Sequence, residues 1–353
     1  MVKDATHPGY PNTPSTGTGH PRTQSAHLGW GRALLNLTGA LAAGGLIVVP
    51  LWMLLSNSAI LGGHPALPVL LMATAAAGLL WAFILVRRTA VIGGRTDTQR
   101  PDPAHELRRR TVSPWQFVRG LLGRLMALGL VAALLWLNPF PHQPSGADGQ
   151  TSGTSTEDAT AITLAPEGKA SAGIVFYPGA RVASQAYQDI LGPLVNAGNL
   201  VVILKAPLGI PLLDANQARA AMDRHPEITS WAVGGHSLGG VSASTFAKSN
   251  QDVDGLLLFA SFPADSMADS SRLKVLSISG SNDGLTTPGK VAASKPLLPP
   301  SAGFATVDGG IHSFFGDYGV QPGDGEPGIS REQAQQQIAA ESVRFMDRLQ
   351  SPG

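Results

Sequence analysis

Two kinds of hydrophobic pattern divide the 353-residue chain. Between Arg32 and Arg87 there is no Asp, Glu, Lys or Arg, and a helix that crosses a bilayer needs about 20 apolar residues. The stretch predicts two spans, residues 33–55 and 67–86, joined by a turn containing Ser56, Asn57, Gly62, Gly63, His64 and Pro65. A cleaved leader is the competing reading, but a long polar segment precedes the apolar run and the run is too long for a leader. A third apolar run, residues 117–137, has Trp115 and Trp136 at its ends as interfacial anchors. Arg119 can snorkel to headgroups and Arg124 sits a turn deeper. The alternative for this run is an amphipathic helix lying on the membrane surface, against which stands its apolar character on every face except that of Arg124.

From about residue 161 the period changes. Short apolar runs at 174–177, 200–204, 231–234, 255–260, 275–279 and 304–307 alternate with helical stretches at about 184–197, 212–225, 238–249 and 290–298, with a last helix after Ser330. Ser330 and Gln333 form a capping-box pattern there, and Ile338, Phe345, Met346 and Leu349 share one face. Strands alternating with helices predict a parallel sheet with crossover helices on both faces, an α/β fold. Residues 1–28 read as a disordered tail and residues 139–160, rich in Gly, Ser and Thr, as a flexible tether. On that reading the domain from 161 to 353 is separable from the membrane region of residues 29–138.

Composition sharpens this. Charged residues are only 14% of the chain and mean hydropathy is +0.09, which fits partial residence in lipid. Net charge is +1, so no global field favours nucleic acid. The absence of Cys excludes disulfides, thiolate metal sites and a Cys nucleophile. No cofactor and no metal site is expected; the acidic, Gly- and Pro-rich stretch 316–329 fits no calcium-loop spacing and reads as solvated. The loop from Arg87 to Pro114 carries Arg87, Arg88, Arg95, Arg100, Arg108, Arg109 and Arg110, whereas the first turn is uncharged. The positive-inside rule places that loop in the cytoplasm, and three spans then put everything after residue 137 outside the cell membrane.

The candidate chemistry lies at strand ends. Gly235-His236-Ser237-Leu238-Gly239 matches G-x-S-x-G, a pattern that a chain with 42 Gly can produce by chance; an apolar strand leading in and a helix leading out make it specific, because that turn strains the serine and exposes its hydroxyl. A serine hydroxyl needs a base, an acid to orient the base, and two N–H donors for the oxyanion. Asp283 follows the run 275–279 and His312 follows 304–307, giving the chain order Ser, Asp, His. Asp265 and Asp308 are fallback acids. The amides of Leu238 and Ala180 are the candidate oxyanion donors, and Arg181 is a candidate for a substrate carboxylate or phosphate. His236 is expected to pack beneath the nucleophile.

With these residues in place, about residues 174–349 resemble the α/β-hydrolase superfamily, in particular small serine hydrolases akin to dienelactone hydrolases. The matching segments are Tyr-Pro-Gly at 177–179, Gly-Gly-His-Ser-Leu-Gly-Gly at 234–240, Gly-Ser-Asn-Asp-Gly at 280–284, and Gly-Gly-Ile-His-Ser-Phe-Phe-Gly-Asp-Tyr-Gly at 309–319. The resemblance implies ester hydrolysis through an acyl-enzyme, with Ser237, Asp283 and His312 as the triad. Dienelactone hydrolases use Cys where this chain has Ser237, so their substrate does not carry over. The expected activity is a membrane-anchored carboxylic ester hydrolase acting on a small-molecule or lipid ester, with the bilayer as its other partner. The alternatives are acyl transfer to an envelope lipid or glycan, or a non-catalytic membrane-anchored binding protein.

Overall fold

The computed structural model describes residues 24–93, 114–144, 152–170 and 172–350. The tail before residue 24 and the arginine-rich loop, residues 94–113, lie outside the described residues. Helices α1 (Gln24–Ser56), α3 (Ala66–Gly93) and α4 (Pro114–Trp136) account for the long apolar runs, with a single turn, α2 (Ala59–Gly62), between the first two. Three segments are long and apolar enough to cross a membrane: Leu34–Ser56, Ala66–Arg87 and Trp115–Trp136. They differ from the predicted spans by one or two residues, the usual imprecision at fraying helix ends.

The chain separates into two compact units. Among the described residues, one comprises 24–44, 80–93 and 114–128, the other 45–79, 129–144, 152–170 and 172–350. Within the first, Arg124 finds partners for its charge. Its Nε and Nη2 donate to Leu35 O at 2.9 and 2.6 Å, and a Cβ at Gly39 would stand 3.1 Å from Nη2. A guanidinium in an apolar helix needs such acceptors because lipid supplies none.

The second unit contains an eight-stranded sheet in the order β1-β2-β4-β3-β5-β6-β7-β8. Strands β3 (Ala172–Tyr177), β4 (Asn199–Leu204), β5 (Trp231–His236), β6 (Gly255–Phe259), β7 (Lys274–Gly280) and β8 (Gly303–Val307) are parallel. Strands β1 (Thr154–Glu157) and β2 (Ala161–Ala165) are antiparallel additions at one edge. The central strands are buried along their whole length, which is why they read as continuous apolar runs. One core, including Ile174, Phe176, Ile203, Leu257 and Ile278, lies on one face, and a second, including Val175, Val202, Val233, Leu256 and Leu258, on the other. Helices α5 (Gln188–Asn196) and α9 (Arg331–Gln350) cover the first face, and α6 (Gln217–Asp223) and α7 (Leu238–Ser249) the second; α8 (Pro288–Ser294) lies beside β7. The Ser330 capping box forms: Ser330 N donates to Gln333 Oε1 at 3.1 Å and Gln333 N to Ser330 Oγ at 3.2 Å.

The stretch read as a tether is partly ordered. Phe140 forms a parallel bridge with Val182, and Thr154–Glu157 is β1. Every β1 side chain is exposed, so the strand carries no apolar signal and is held by its ladder with β2. Glu157 and the carbonyl of Asp158 lie 2.7 and 2.6 Å from the Nζ of Lys205, a buried ammonium on the sheet. A chain begun at Ala161 would remove both acceptors. In the same unit, Leu208 packs against Met53, Ile60, Leu67, Leu71 and Leu134. Gln185 Nε2 donates to Gly62 O at 3.1 Å, and Asn57 Nδ2 to Asn138 Oδ1 and Pro139 O at 2.9 and 2.8 Å.

Candidate active site

At the carboxyl end of β5 the chain turns into α7 through Ser237, whose backbone has φ 52° and ψ −123°. Positive φ is strained for a serine, and close packing holds it. Ser237 N donates to Phe259 O at 3.0 Å and Ser261 Oγ donates to Ser237 O at 2.6 Å. The flanking glycines are fixed by space. A Cβ at Gly239 would lie 2.2 and 2.3 Å from the carbonyl oxygens of Tyr177 and Pro178, and one at Gly235 would lie 2.4 Å from Gly239 C. These are backbone atoms that cannot rotate away. Gly239→Ala is therefore expected to destabilise the domain by about 3 kcal/mol or more, measured by denaturant unfolding; a change of a few tenths would mean that the turn relaxes easily.

The loop after β7 carries Asp283 and the short turn His312–Phe315 after β8 begins with His312. Asp283 Oδ2 and His312 Nδ1 are 2.9 Å apart with both side chains buried. Asp283 Oδ1 accepts the amides of Leu285 and Thr286 at 2.8 and 2.6 Å. A carboxylate only accepts, so Nδ1 carries the proton and Nε2 presents a bare lone pair. That Nε2 is buried and without a hydrogen-bond partner among the described residues. The two residues sought as base and acid thus meet, and Nε2 is left without a proton to hold. Asp265 is exposed after β6, and Asp308, also exposed, accepts from Ser281 Oγ at 3.0 Å.

Two groups that the sequence left unassigned support this arrangement. Asp324 accepts the amides of His312 at 3.0 Å and Ser313 at 2.8 Å, fixing the loop that carries the imidazole. Tyr187 is wholly buried; its hydroxyl accepts Gly179 N at 2.8 Å and is hydrogen-bonded to His236 Nδ1 at 2.9 Å. This occupies the Gly179 amide. The amides of Ala180 and Leu238, the expected oxyanion donors, make no hydrogen bond among the described residues. A signal for Tyr187 and Asp324 would require knowing which distant segments they meet.

His236 packs beneath the turn as expected, its ring centroid 4.6 Å from that of His312. Burial, and then the neighbouring His312, hold its pKa well below the ordinary imidazole value. It remains neutral beside His312. Because the folded state takes up this proton less readily than the unfolded chain, the contribution of His236 to stability is complete above its unfolded pKa of about 6.5 and is lost as pH falls below that value. Melting temperatures between pH 7.5 and 5 should therefore decline less in His236→Gln than in the parent protein; equal declines would assign the loss to other groups.

Arg181, the candidate for a substrate anion, is engaged within the chain. Its guanidinium donates to Asn138 O at 3.1 Å from Nη2 and lies 5.0 Å from the ring centroids of both Trp136 and Phe140. These contacts fasten the loop after β3 to the segment after α4, so the charge is engaged within the chain rather than presented to a substrate. The stretch expected to be solvated, 316–329, also differs, since Asp317 and Tyr318 are buried.

Residues 173–337 match the model of the alpha/beta hydrolase family. This region has the α/β-hydrolase fold. Similar solved structures include a predicted CIB-like hydrolase from Thermoplasma acidophilum, 15% identical, which aligns over 55% of this chain and 99% of its own with a TM-score of 0.43. A dienelactone hydrolase-like promiscuous phosphotriesterase from metagenomic libraries is 17% identical over 54% of this chain and 92% of its own, also with a TM-score of 0.43. No curated protein matches the chain. The α/β-hydrolase domain is preceded by three helices long and apolar enough to span a membrane.

Proposed function

We infer that the protein is a membrane-anchored serine hydrolase that cleaves a carboxylic ester through an acyl-enzyme. The observation that carries this reading is the buried Asp283–His312 pair, 2.9 Å apart, whose Nε2 has no hydrogen-bond partner among the described residues, together with a serine held at positive φ. In the proposed reaction, Ser237 Oγ loses its proton to His312 Nε2 as it bonds to the ester carbonyl carbon. Asp283 stabilises the imidazolium, and the amides of Leu238 and Ala180 receive the oxyanion. Collapse of the intermediate expels the alcohol, which takes the proton from His312. Water, deprotonated by the same nitrogen, then releases the acid and restores Ser237. A hydrogen bond between Ser237 Oγ and His312 Nε2 is expected to form only when substrate is bound. A fluorophosphonate probe applied to membranes tests the nucleophile without knowledge of the substrate: the parent protein should be labelled and Ser237→Ala should not. Equal labelling of both would refute the assignment.

In this reading the domain lies outside the cytoplasm. The supporting contacts are those of Gln185 with Gly62 and of Leu208 with the cluster around Ile60, which put the hydrolase domain beside the uncharged turn between the first two helices. A helix α4 lying on the inner surface would leave the domain on the opposite side from that turn. Because the chain has no Cys, one introduced at exposed Ser249 reports topology alone. In right-side-out vesicles Ser249→Cys should react with a membrane-impermeant maleimide. Reaction only after permeabilisation would reverse the compartment and make a cytoplasmic ester the substrate.

A further inference from the structure

Three side chains from widely separated parts of the chain converge beside the loop that carries His312. His142 follows α4, Asp189 lies in the first turn of α5, and Asp317 follows the His312–Phe315 turn. An imidazole nitrogen and one oxygen from each carboxylate all lie within 4.8 Å of one another. Two atoms of this group, His142 Nε2 and Asp317 Oδ2, are buried without a hydrogen-bond partner among the described residues. Asp317 is wholly buried. Its Oδ1 accepts Gln335 Nε2 at 2.9 Å and lies 3.7 Å from Arg331 Nε, which leaves Oδ2 without a donor among the described residues.

A buried carboxylate oxygen without a partner is strongly disfavoured, and a second carboxylate beside it adds repulsion. The imidazole makes no hydrogen bond to either. A cation between the three satisfies all of them at once. Three ligands about 2.0–2.2 Å from one ion stand about 3.4–3.8 Å apart in tetrahedral or trigonal geometry, so closure of up to about 1 Å accompanies binding. Two carboxylates and a neutral imidazole balance a charge of two. The nitrogen donor favours a transition ion over calcium or magnesium, which prefer oxygen alone.

We propose that His142, Asp189 and Asp317 bind one divalent transition-metal ion, Zn²⁺ or Mn²⁺, as a structural clasp. Gln335, holding Asp317 Oδ1, orients that ligand. The backbone already brings the parts together: Gln143 N donates to Asp317 O and Asp317 N to Ala186 O, both at 2.8 Å. The ion fixes the segment after α4 to α5 and to the loop five residues beyond His312. Its ligands are too far apart in sequence to form a recognisable metal motif.

The test uses the untagged full-length protein in detergent, stripped with EDTA and titrated calorimetrically with ZnCl₂ and, separately, MnCl₂. Bound metal is quantified by mass spectrometry after desalting. One ion per chain and a raised melting temperature are expected. His142→Ala and Asp317→Asn should each weaken binding by at least about 100-fold, since loss of an orienting partner alone can cost 10–100-fold. Asp317 is buried and its variant can misfold; His142 is half-buried, so His142→Ala provides the folded control, verified by circular dichroism. No bound ion in the parent protein overturns the proposal, as does equal binding by His142→Ala, which would place the ion elsewhere. Equally tight calcium or magnesium would overturn the transition-metal assignment. None of these outcomes depends on the hydrolase reading.

Discussion

Ser237→Ala and His312→Ala are each expected to lower hydrolysis of a short acyl ester such as p-nitrophenyl acetate on the order of 10⁶-fold, because members of a triad act as a unit and removing one removes the function of the others. The geometry makes the reason specific. Ser237 is the side chain that the turn between β5 and α7 presents at positive φ, and His312 Nε2 is buried without a hydrogen-bond partner among the described residues. Alanine at 237 removes the atom that bonds to carbon. Alanine at 312 leaves a hydroxyl that ionises too little near neutral pH to attack. The backbone amides remain in both variants, so residual turnover above the uncatalysed rate is expected from oxyanion stabilisation alone. The measurement is kcat/KM for the parent and each variant; activity within tenfold of the parent in either would refute the nucleophile or the base.

Asp283→Asn is expected to lower kcat about 10⁴-fold, and the structure says why the substitution cannot adapt. The position of Asp283 Oδ1 receives two amide hydrogens, from Leu285 and Thr286, so in asparagine the carbonyl oxygen must occupy that position. The side-chain NH₂ is then forced toward His312 Nδ1, where the carboxylate had accepted a proton. His312 must present a lone pair at Nδ1 and carry its hydrogen on Nε2. In that tautomer it cannot receive the proton of Ser237. Asp265→Asn, in an exposed loop, should leave kcat unchanged. If Asp265→Asn were the damaging change and Asp283→Asn mild, a different acid would serve the reaction in solution.

The parallel strands were legible because burial on both faces gives continuous apolar runs, such as Leu-Val-Val-Ile-Leu in β4 and Gly-Leu-Leu-Leu-Phe in β6. β1 was illegible for the opposite reason: Thr-Ser-Thr-Glu is polar and exposed throughout, and its pairing with β2 is a property of two segments together. Residues 184–197 carry a helical period, yet their first turn is 3₁₀, with Tyr187 placed inward so that its hydroxyl meets Gly179 and His236. Arg181 shows the same limit. An arginine in a loop beside a candidate oxyanion donor suits a substrate anion by chemistry alone, and only the arrival of Trp136, Asn138 and Phe140 engages its charge.

The sequence by itself determined the features that depend on local order: three apolar runs, the alternation of strand and helix, a serine between glycines at a strand end, and an acid and a histidine following later strands. Each is written within a few turns of chain, where hydrophobic period and steric need act on neighbours. Tertiary structure alone decided the features that depend on distance through space. It brought Asp283 and not Asp265 to His312, and set Tyr187 and Asp324 behind the site. It turned Arg181 toward the segment after α4 and gathered His142, Asp189 and Asp317 around one point. Hydrogen bonds and charges act over a few ångströms regardless of separation along the chain, so their partners are fixed only when the sheet has assembled.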